Sequence, residues 1–407
     1  MDTITHGIVG ALIGKAFFAD DLPPNAPSWH ERPRSADRVA IISATLGSIF
    51  PDIDVFAGPL AHNSMAMMTW HRNITHSLVM LPVWAVLLAL LTGLLARWLR
   101  WPSPPFPTLV LIYAVGLGSH VFLDLITSFG TMIWSPLDYT RPALDWLFII
   151  DLMLTSAALV PQLAAWAFRL PEQATRRAII LWAILTGTAV AIGPLVRAFH
   201  VPYSMNAILL AGIFNAMFLL LPLRRGVGTR MGRAKWCRVG IALVAGYLAF
   251  AGGMHQSALA RVKEFADEMH IDATKIAAIP QPPSAVFWAG MIETPTGTFL
   301  LQFDQLGNEP VRFYFFSDPA PNQYLDAARR LRDVQTFLWF ARFPVYRYEE
   351  RGDERVVQIT DLRFFGPTRQ EGDVLGTGTI ANFAYEVVFR PDGTVISSGR
   401  PKPGTAN

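Results

Sequence analysis

Long apolar runs fill most of residues 1–257, and they restrict the fold more than any other feature. Six of them, at 77–96, 109–127, 146–168, 178–196, 205–223 and 236–254, hold 19–23 residues each, close to the ~20 that an α-helix needs to cross ~30 Å of hydrocarbon. Pro82, Pro161 and Pro194 lie inside these runs and are positions for kinks. Two shorter stretches, 3–18 and 38–50, precede them and are rich in small residues (Gly7, Gly10, Ala11, Gly14; Ala44, Gly47). Small residues let helices approach closely in a bilayer. The pattern predicts an all-α polytopic membrane domain of about eight helices, two of them short and packed inside the bundle.

Charge supports this reading and places a boundary. Charged residues are 16% of the 407-residue chain and the mean hydropathy is +0.33, against about 25% charge in an ordinary soluble domain. Residues 258–407 carry 35 of the 65 charged side chains. The chain therefore divides into a membrane-embedded domain, 1–257, and a soluble mixed α/β domain, 258–407. Alternating or apolar β-formers predict strands over 286–293, 298–303, 311–316, 336–340, 345–348, 356–364 and 384–397, the last turning at Asp392-Gly393. Residues 322–333 read as a helix with Asn322 as N-cap. One cysteine, Cys237, excludes an intramolecular disulfide and any multi-cysteine metal site. A net charge of +3 is too small to indicate nucleic acid; the expected partners are the lipid bilayer and a small amphiphilic molecule.

Orientation follows from Lys and Arg in the short loops. With the first residue outside and eight crossings, the inner loops hold fifteen such residues, Arg32, Arg34, Arg224 and Arg225 among them, and the outer loops hold three, Arg72, Arg141 and Arg197. This puts 258–407 on the periplasmic or extracellular side of a multi-pass membrane protein. The acidic start, Met1-Asp2, gives no sign of a cleavable leader.

Four local patterns carry chemistry: Asp2…His6, Pro51-Asp52-Ile53-Asp54, His71-Arg72-Asn73-Ile74-Thr75-His76-Ser77, and His120…Asp124. Asp2/His6 and His120/Asp124 are i,i+4 pairs, which share one helix face. In the predicted topology all four patterns reach the same outer rim, although the charge count behind that topology used none of their His or Asp residues. Intramembrane His and Asp are costly and mark function by default. Each has a plain structural alternative: Asp2 as a helix N-cap, Asp54 as a solvated loop carboxylate, His71 as an interfacial histidine, Arg72 as a headgroup contact, and His120/Asp124 as an interhelical hydrogen bond. His30, His62, His200, His255 and His270 have no partner pattern.

In this order the motifs resemble the bacterial membrane-bound metal-dependent hydrolase family typified by YdjM, whose members are also described as LexA-binding and inner-membrane-associated. The resemblance covers roughly residues 1–200. The family is distantly similar to zinc-dependent phospholipase C, and the resemblance implies a metal site. In it His6 matches an early histidine, Asp52 an isolated aspartate, His71 or His76 a middle histidine, and His120 with Asp124 an HxxxD pair. The soluble enzymes' N-terminal tryptophan is absent, so Asp2 is the candidate substitute, and no second downstream pair is evident. The expected metal set is Asp2, His6, Asp52, His71, His76, His120 and Asp124, holding one or two divalent ions. Zinc comes first, with manganese or iron as alternatives, because His and carboxylate donors suit them. Asp54 is the candidate general base or positioning carboxylate and Arg72 the candidate phosphate clamp. The implied activity is hydrolysis of a phosphoester in a lipid-like substrate at a bacterial inner membrane. The alternative is a non-catalytic scaffold or regulatory protein whose polar cluster is structural.

Overall fold

The computed structural model describes residues 1–20, 35–56, 65–198, 205–282, 284–307, 310–364 and 383–401; His30, His62, His200, Arg32 and Arg34 lie outside them. The N-terminal region is helical: α1 (Thr3–Phe17), α2 (Ala36–Ile49) running into a 3-10 turn (Phe50–Phe56), the single-turn α3 (Ala66–Thr69), α4 (Leu81–Trp98), α5 (Phe106–Leu125), α6 (Leu152–Ala167), α7 (Ala174–Ala198), α8 (Met205–Leu219) and α9 (Arg233–Glu268). Among the described residues, four helical segments are long and apolar enough to cross a membrane: Ala36–Phe56, Leu81–Trp98, Phe106–Leu125 and Arg233–Glu268. Residues 38–50 were expected to form a short helix; the 3-10 turn extends that segment to 21 residues. The segment expected from residue 146 starts later, because Asp151 caps α6 by accepting from the Leu154 amide. Val86, Leu87, Leu90, Leu91, Leu94 and Leu95 of α4 are exposed, as a lipid-facing helix requires.

The small residues do what their size allows. A Cβ on Gly10 of α1 would stand 2.6 Å from Ser48 Oγ and 2.7 Å from the Ala44 carbonyl oxygen of α2. One on Gly116 of α5 would stand 2.9 Å from that same Ala44 oxygen. Hydrogen in place of a side chain lets α1, α2 and α5 meet almost backbone to backbone, which draws their ends together.

Helix α9 has 36 residues, about 54 Å of helix, and passes through the charge boundary at residue 258 without a break. Its buried positions (Val244, Leu248, Ala251, His255, Ala258, Val262, Ala266) recur every three or four residues. The last three pack under the first C-terminal sheet with Ala278, Trp288, Ile292 and Leu301. That sheet is antiparallel, in the order β1 (Lys275–Gln281), β2 (Phe287–Thr294), β3 (Gly297–Asp304), β4 (Arg312–Ser317). Two helices follow, α10 (Gln323–Arg330), capped by Asn322 as expected, and α11 (Arg332–Phe340). A second antiparallel sheet has the order β5 (Pro344–Arg351), β6 (Glu354–Asp361), β7 (Ala384–Phe389), β8 (Val395–Gly399).

One expected strand, 336–340, is helix instead. Val334, Phe337 and Phe340 are buried at a spacing of three, which suits one face of a helix packed on a sheet and not the alternation of a strand. Strand β1 was not foreseen: Ala277, Ala278, Ile279 and Pro280 are buried in succession, so the strand shows no alternation.

Candidate metal centre

One end of the helical bundle gathers the polar motifs. His6 lies in the first turns of α1, Asp52 and Asp54 in the 3-10 turn after α2, and His120 and Asp124 in the last turns of α5. His71, Arg72 and His76 come from the segment between α3 and α4. That segment is braced by the loop after α5: the Met132 amide donates to the Arg72 carbonyl (2.9 Å), Ser135 Oγ donates to Asn73 Oδ1 (2.5 Å), and Ser77 Oγ donates to the Ser135 carbonyl.

Asp52, His76, His120 and Asp124 are all buried, and one donor atom of each lies within 4.8 Å of the other three. His120 Nε2 is 3.0 Å from His76 Nε2, 3.4 Å from Asp124 Oδ2 and 3.5 Å from Asp52 Oδ1. His76 Nε2 is 3.1 Å from Asp124 Oδ2 and 3.6 Å from Asp52 Oδ1.

Each residue is held at its far end. His120 Nδ1 donates to the Ser48 carbonyl at 2.7 Å, and His76 Nδ1 lies 3.1 Å from Asp54 Oδ2. Asp52 Oδ2 accepts from Thr3 Oγ1 at 2.5 Å. Asp124 Oδ1 takes the Met1 amino group, His6 Nε2 (3.2 Å) and Arg72 Nη2 (2.9 Å).

Those outer bonds set the tautomers. A carbonyl or carboxylate only accepts, so each Nδ1 facing one carries the hydrogen and each neutral ring turns a lone pair inward at Nε2. Two imidazole lone pairs and two carboxylate oxygens then point at one another, and Asp124 Oδ2 is buried with no hydrogen-bond partner. Such a donor set fits a cation. In the absence of an ion, His76 carries the compensating charge: burial opposes a proton there, yet the facing carboxylates of Asp124, Asp52 and Asp54 outweigh that and raise its pKa to about 10. A cation held by the same four residues would take the place of that proton.

The other expected residues take different places. Asp54, His71 and His76 form a second group that can hold a metal ion. Asp54, however, already accepts from His71 Nδ1 (2.8 Å), the Arg72 amide (3.0 Å) and Thr75 Oγ1 (2.9 Å) besides facing His76. Of its two suggested roles, anchor and base, this suits the anchor. His71 packs edge-on against His76 and Phe129. His6 stacks on His120 with ring centroids 3.7 Å apart and stands beside the four-residue group, its Nδ1 buried without a partner. Asp2 is the N-cap of α1, accepting from the Thr5 amide (2.9 Å) and Thr5 Oγ1 (2.7 Å), and joins neither group. Arg72 is 1% exposed and sits at φ +60. Its guanidinium is engaged with Asp124 Oδ1, the Asp124 carbonyl (3.1 Å) and Thr127 Oγ1 (2.8 Å). It is therefore a counter-charge to Asp124, and the expected clamp function has no free face of Arg72 to work from.

Three contributors were missed in the sequence. Thr3 and Thr75 were legible in principle, being hydroxyls in the Thr-Ile-Thr-His and Ile-Thr-His strings. Ser48 serves through its backbone carbonyl, which no side-chain pattern reveals.

Residues 1–198 match the model of a family described as YdjM inner membrane protein. Over 137 residues the chain is 29% identical to the uncharacterized protein YfhP of Bacillus subtilis (strain 168); the aligned part is 33% of this chain and 37% of that protein. No solved structure matches. The expected resemblance to YdjM is thus borne out over residues 1–198, which carry the cluster, while these matches do not show the metal-dependent hydrolase and phospholipase C similarity; with the apolar helices the YdjM match supports an inner-membrane location.

Proposed function

We propose that the protein is an integral membrane hydrolase that depends on a divalent metal and acts on a phosphoester of an amphiphilic substrate. One observation carries the reading: Asp52 Oδ1, His76 Nε2, His120 Nε2 and Asp124 Oδ2 face one another while the second polar atom of each is already bonded. These four residues would hold the ion, zinc before manganese or iron, because mixed imidazole and carboxylate donors suit those metals. His76 Nδ1 is taken by Asp54, so the reading favours one ion at the Nε2 side.

A bound divalent ion supplies Lewis acidity, lowering the pKa of water toward about 7 and drawing charge from a phosphoryl oxygen. The chain's own residues supply order. Asp54 and the Ser48 carbonyl fix both imidazoles, Thr3 fixes Asp52, and Arg72 fixes Asp124. Such outer bonds on metal ligands are worth about 10–100-fold in metal affinity or activity. Burial at the end of an apolar bundle favours a substrate whose tail stays in lipid. Sidedness is part of the proposal: the cluster and residues 258–407 face the periplasmic or extracellular side.

The test is a screen of lipid phosphoesters in detergent, with zinc or manganese supplied and then chelated. Metal-dependent hydrolysis that disappears in His120→Ala and Asp124→Asn is the expected result. Hydrolysis that persists in both variants removes the assignment.

A further inference from the structure

Three guanidinium groups meet beside the cluster. Arg72 and Arg141 lie 5.0 and 5.2 Å from the Phe129 ring centroid, and Arg141 and Arg363 lie 5.1 and 4.7 Å from that of Phe340. Two of the three carry their own counter-charge: Arg72 has Asp124 at 2.9 Å, and Arg363 has Asp361 at 2.6 Å. Among the described residues, Arg141 makes no ion pair, and the carboxylate that acts on it, Asp54, does so from beyond contact distance. Its Nη1 donates to the Met68 carbonyl (2.8 Å) and its Nη2 to the Gly130 carbonyl (3.1 Å), while Nε is buried without a partner.

Like charges packed this closely repel, and a secluded charge without a counter-ion is unfavourable. Bonding two carbonyls does not require charge; a glutamine amide can donate to both. The cation at position 141 therefore asks for a different explanation. Its place supplies one. Met68, which it holds, is three residues before His71, and the His71 ring lies 5.4 Å from the same Phe129. Residue 141 is half-buried as a whole, and Nη1 and Nη2 each keep a second N–H beyond the one given to a carbonyl.

We propose that Arg141 binds the anionic phosphoryl group of the substrate next to the metal cluster, the task first expected of Arg72. This rests on the hydrolase reading above and deepens it. A guanidinium presents a planar fork of donors that matches phosphate oxygens two at a time. Phe129, Trp339 and Phe340 enclose it, and a low local dielectric strengthens such a contact. Phe340 and Trp339 belong to the C-terminal region, so both halves of the chain build this subsite.

Inorganic phosphate and a lipid phosphate monoester share the chemistry, so both are probes. Full-length, metal-loaded protein in detergent is titrated calorimetrically with inorganic phosphate and with dihexanoyl phosphatidic acid, alongside Arg141→Gln and Arg141→Lys. Metal content and melting temperature are followed in each. The expected result is unchanged metal content, affinity at least tenfold weaker in the glutamine variant, and at least threefold weaker in the lysine variant, which keeps charge but not the fork. Tighter binding of the lipid probe marks a headgroup as the natural anion, and equal binding marks free phosphate. A metal-replete glutamine variant with wild-type affinity overturns the role of Arg141 and leaves the hydrolase reading intact. If that variant does not fold, a folded lysine variant with wild-type affinity overturns it equally. Wild-type protein that takes up no metal, or binds neither probe, brings down the hydrolase reading and this proposal with it.

Discussion

At the scale of single residues, the cluster is a set of donors pinned from behind. Thr3 and Asp52 illustrate it: a hydroxyl 2.5 Å from Oδ2 leaves Oδ1 facing the two imidazoles. Thr3→Ala should weaken metal binding about 10–100-fold, read by competition with a chromophoric chelator, while the helices stay folded. Arg72 acts on Asp124 in the same manner but with charge. Removing one member of a buried ion pair strands the other, at a cost of about 3–5 kcal/mol. Arg72→Ala should lower the unfolding midpoint of the metal-free protein, and added metal should recover part of the loss. Because His76 is raised to about 10, a metal must displace its proton at neutral pH. Apparent affinity should therefore climb with pH between about 6 and 9, by up to about tenfold per unit, as expected when ligands must deprotonate; affinity independent of pH would count against His76 as a ligand. The residue types were legible because His and Asp are rare in apolar helices. Their separate roles were not: Asp2 as cap, Asp54 as anchor and Arg72 as counter-charge depend on distances that spacing does not encode.

At the scale of helices and strands, the site depends on how closely α1, α2 and α5 approach. Gly10 faces the Ala44 carbonyl oxygen and Ser48 Oγ at under 3 Å from a hypothetical Cβ. Gly10→Ala should force the helices apart, at about 1–3 kcal/mol as for other overpacked cores. It should also loosen the cluster, since α1 carries His6 and Thr3 and α2 leads to Asp52. Thermal unfolding and metal content report the two effects separately. The small residues of α1 and α2 announced this contact in the sequence. Helix ends were less legible, since the 3-10 turn after Ile49 and the cap at Asp151 are set by backbone geometry. The strand expected at 336–340 failed because Thr, Phe and Trp are good β-formers in isolation; the spacing of Val334, Phe337 and Phe340 decided for helix.

At the scale of the whole chain, the C-terminal region rests on the end of the bundle that bears the cluster. Arg363 donates to the Ser128 and Phe129 carbonyls (3.0 and 3.3 Å), and Arg342 grips Asp145 through two bonds of 2.9 Å. The change in charge density near residue 258 was visible in the sequence. The continuity of α9 through it and the docking onto residues 127–147 were not, because both rest on packing between distant segments. Arg342→Ala should loosen that docking and speed amide exchange across 127–147 without changing exchange in α4. A cysteine at exposed Asp353, in a Cys237→Ser background, should react with an impermeant maleimide added to intact cells if the proposed sidedness holds; labelling only after lysis would reverse it.

The most direct measurement is elemental analysis of the purified wild-type protein beside Asp124→Asn, after dialysis against excess zinc and then metal-free buffer. The account predicts close to one equivalent of metal in the wild type and a small fraction of that in the variant. Metal-free wild type, or equal retention by both proteins, would contradict it.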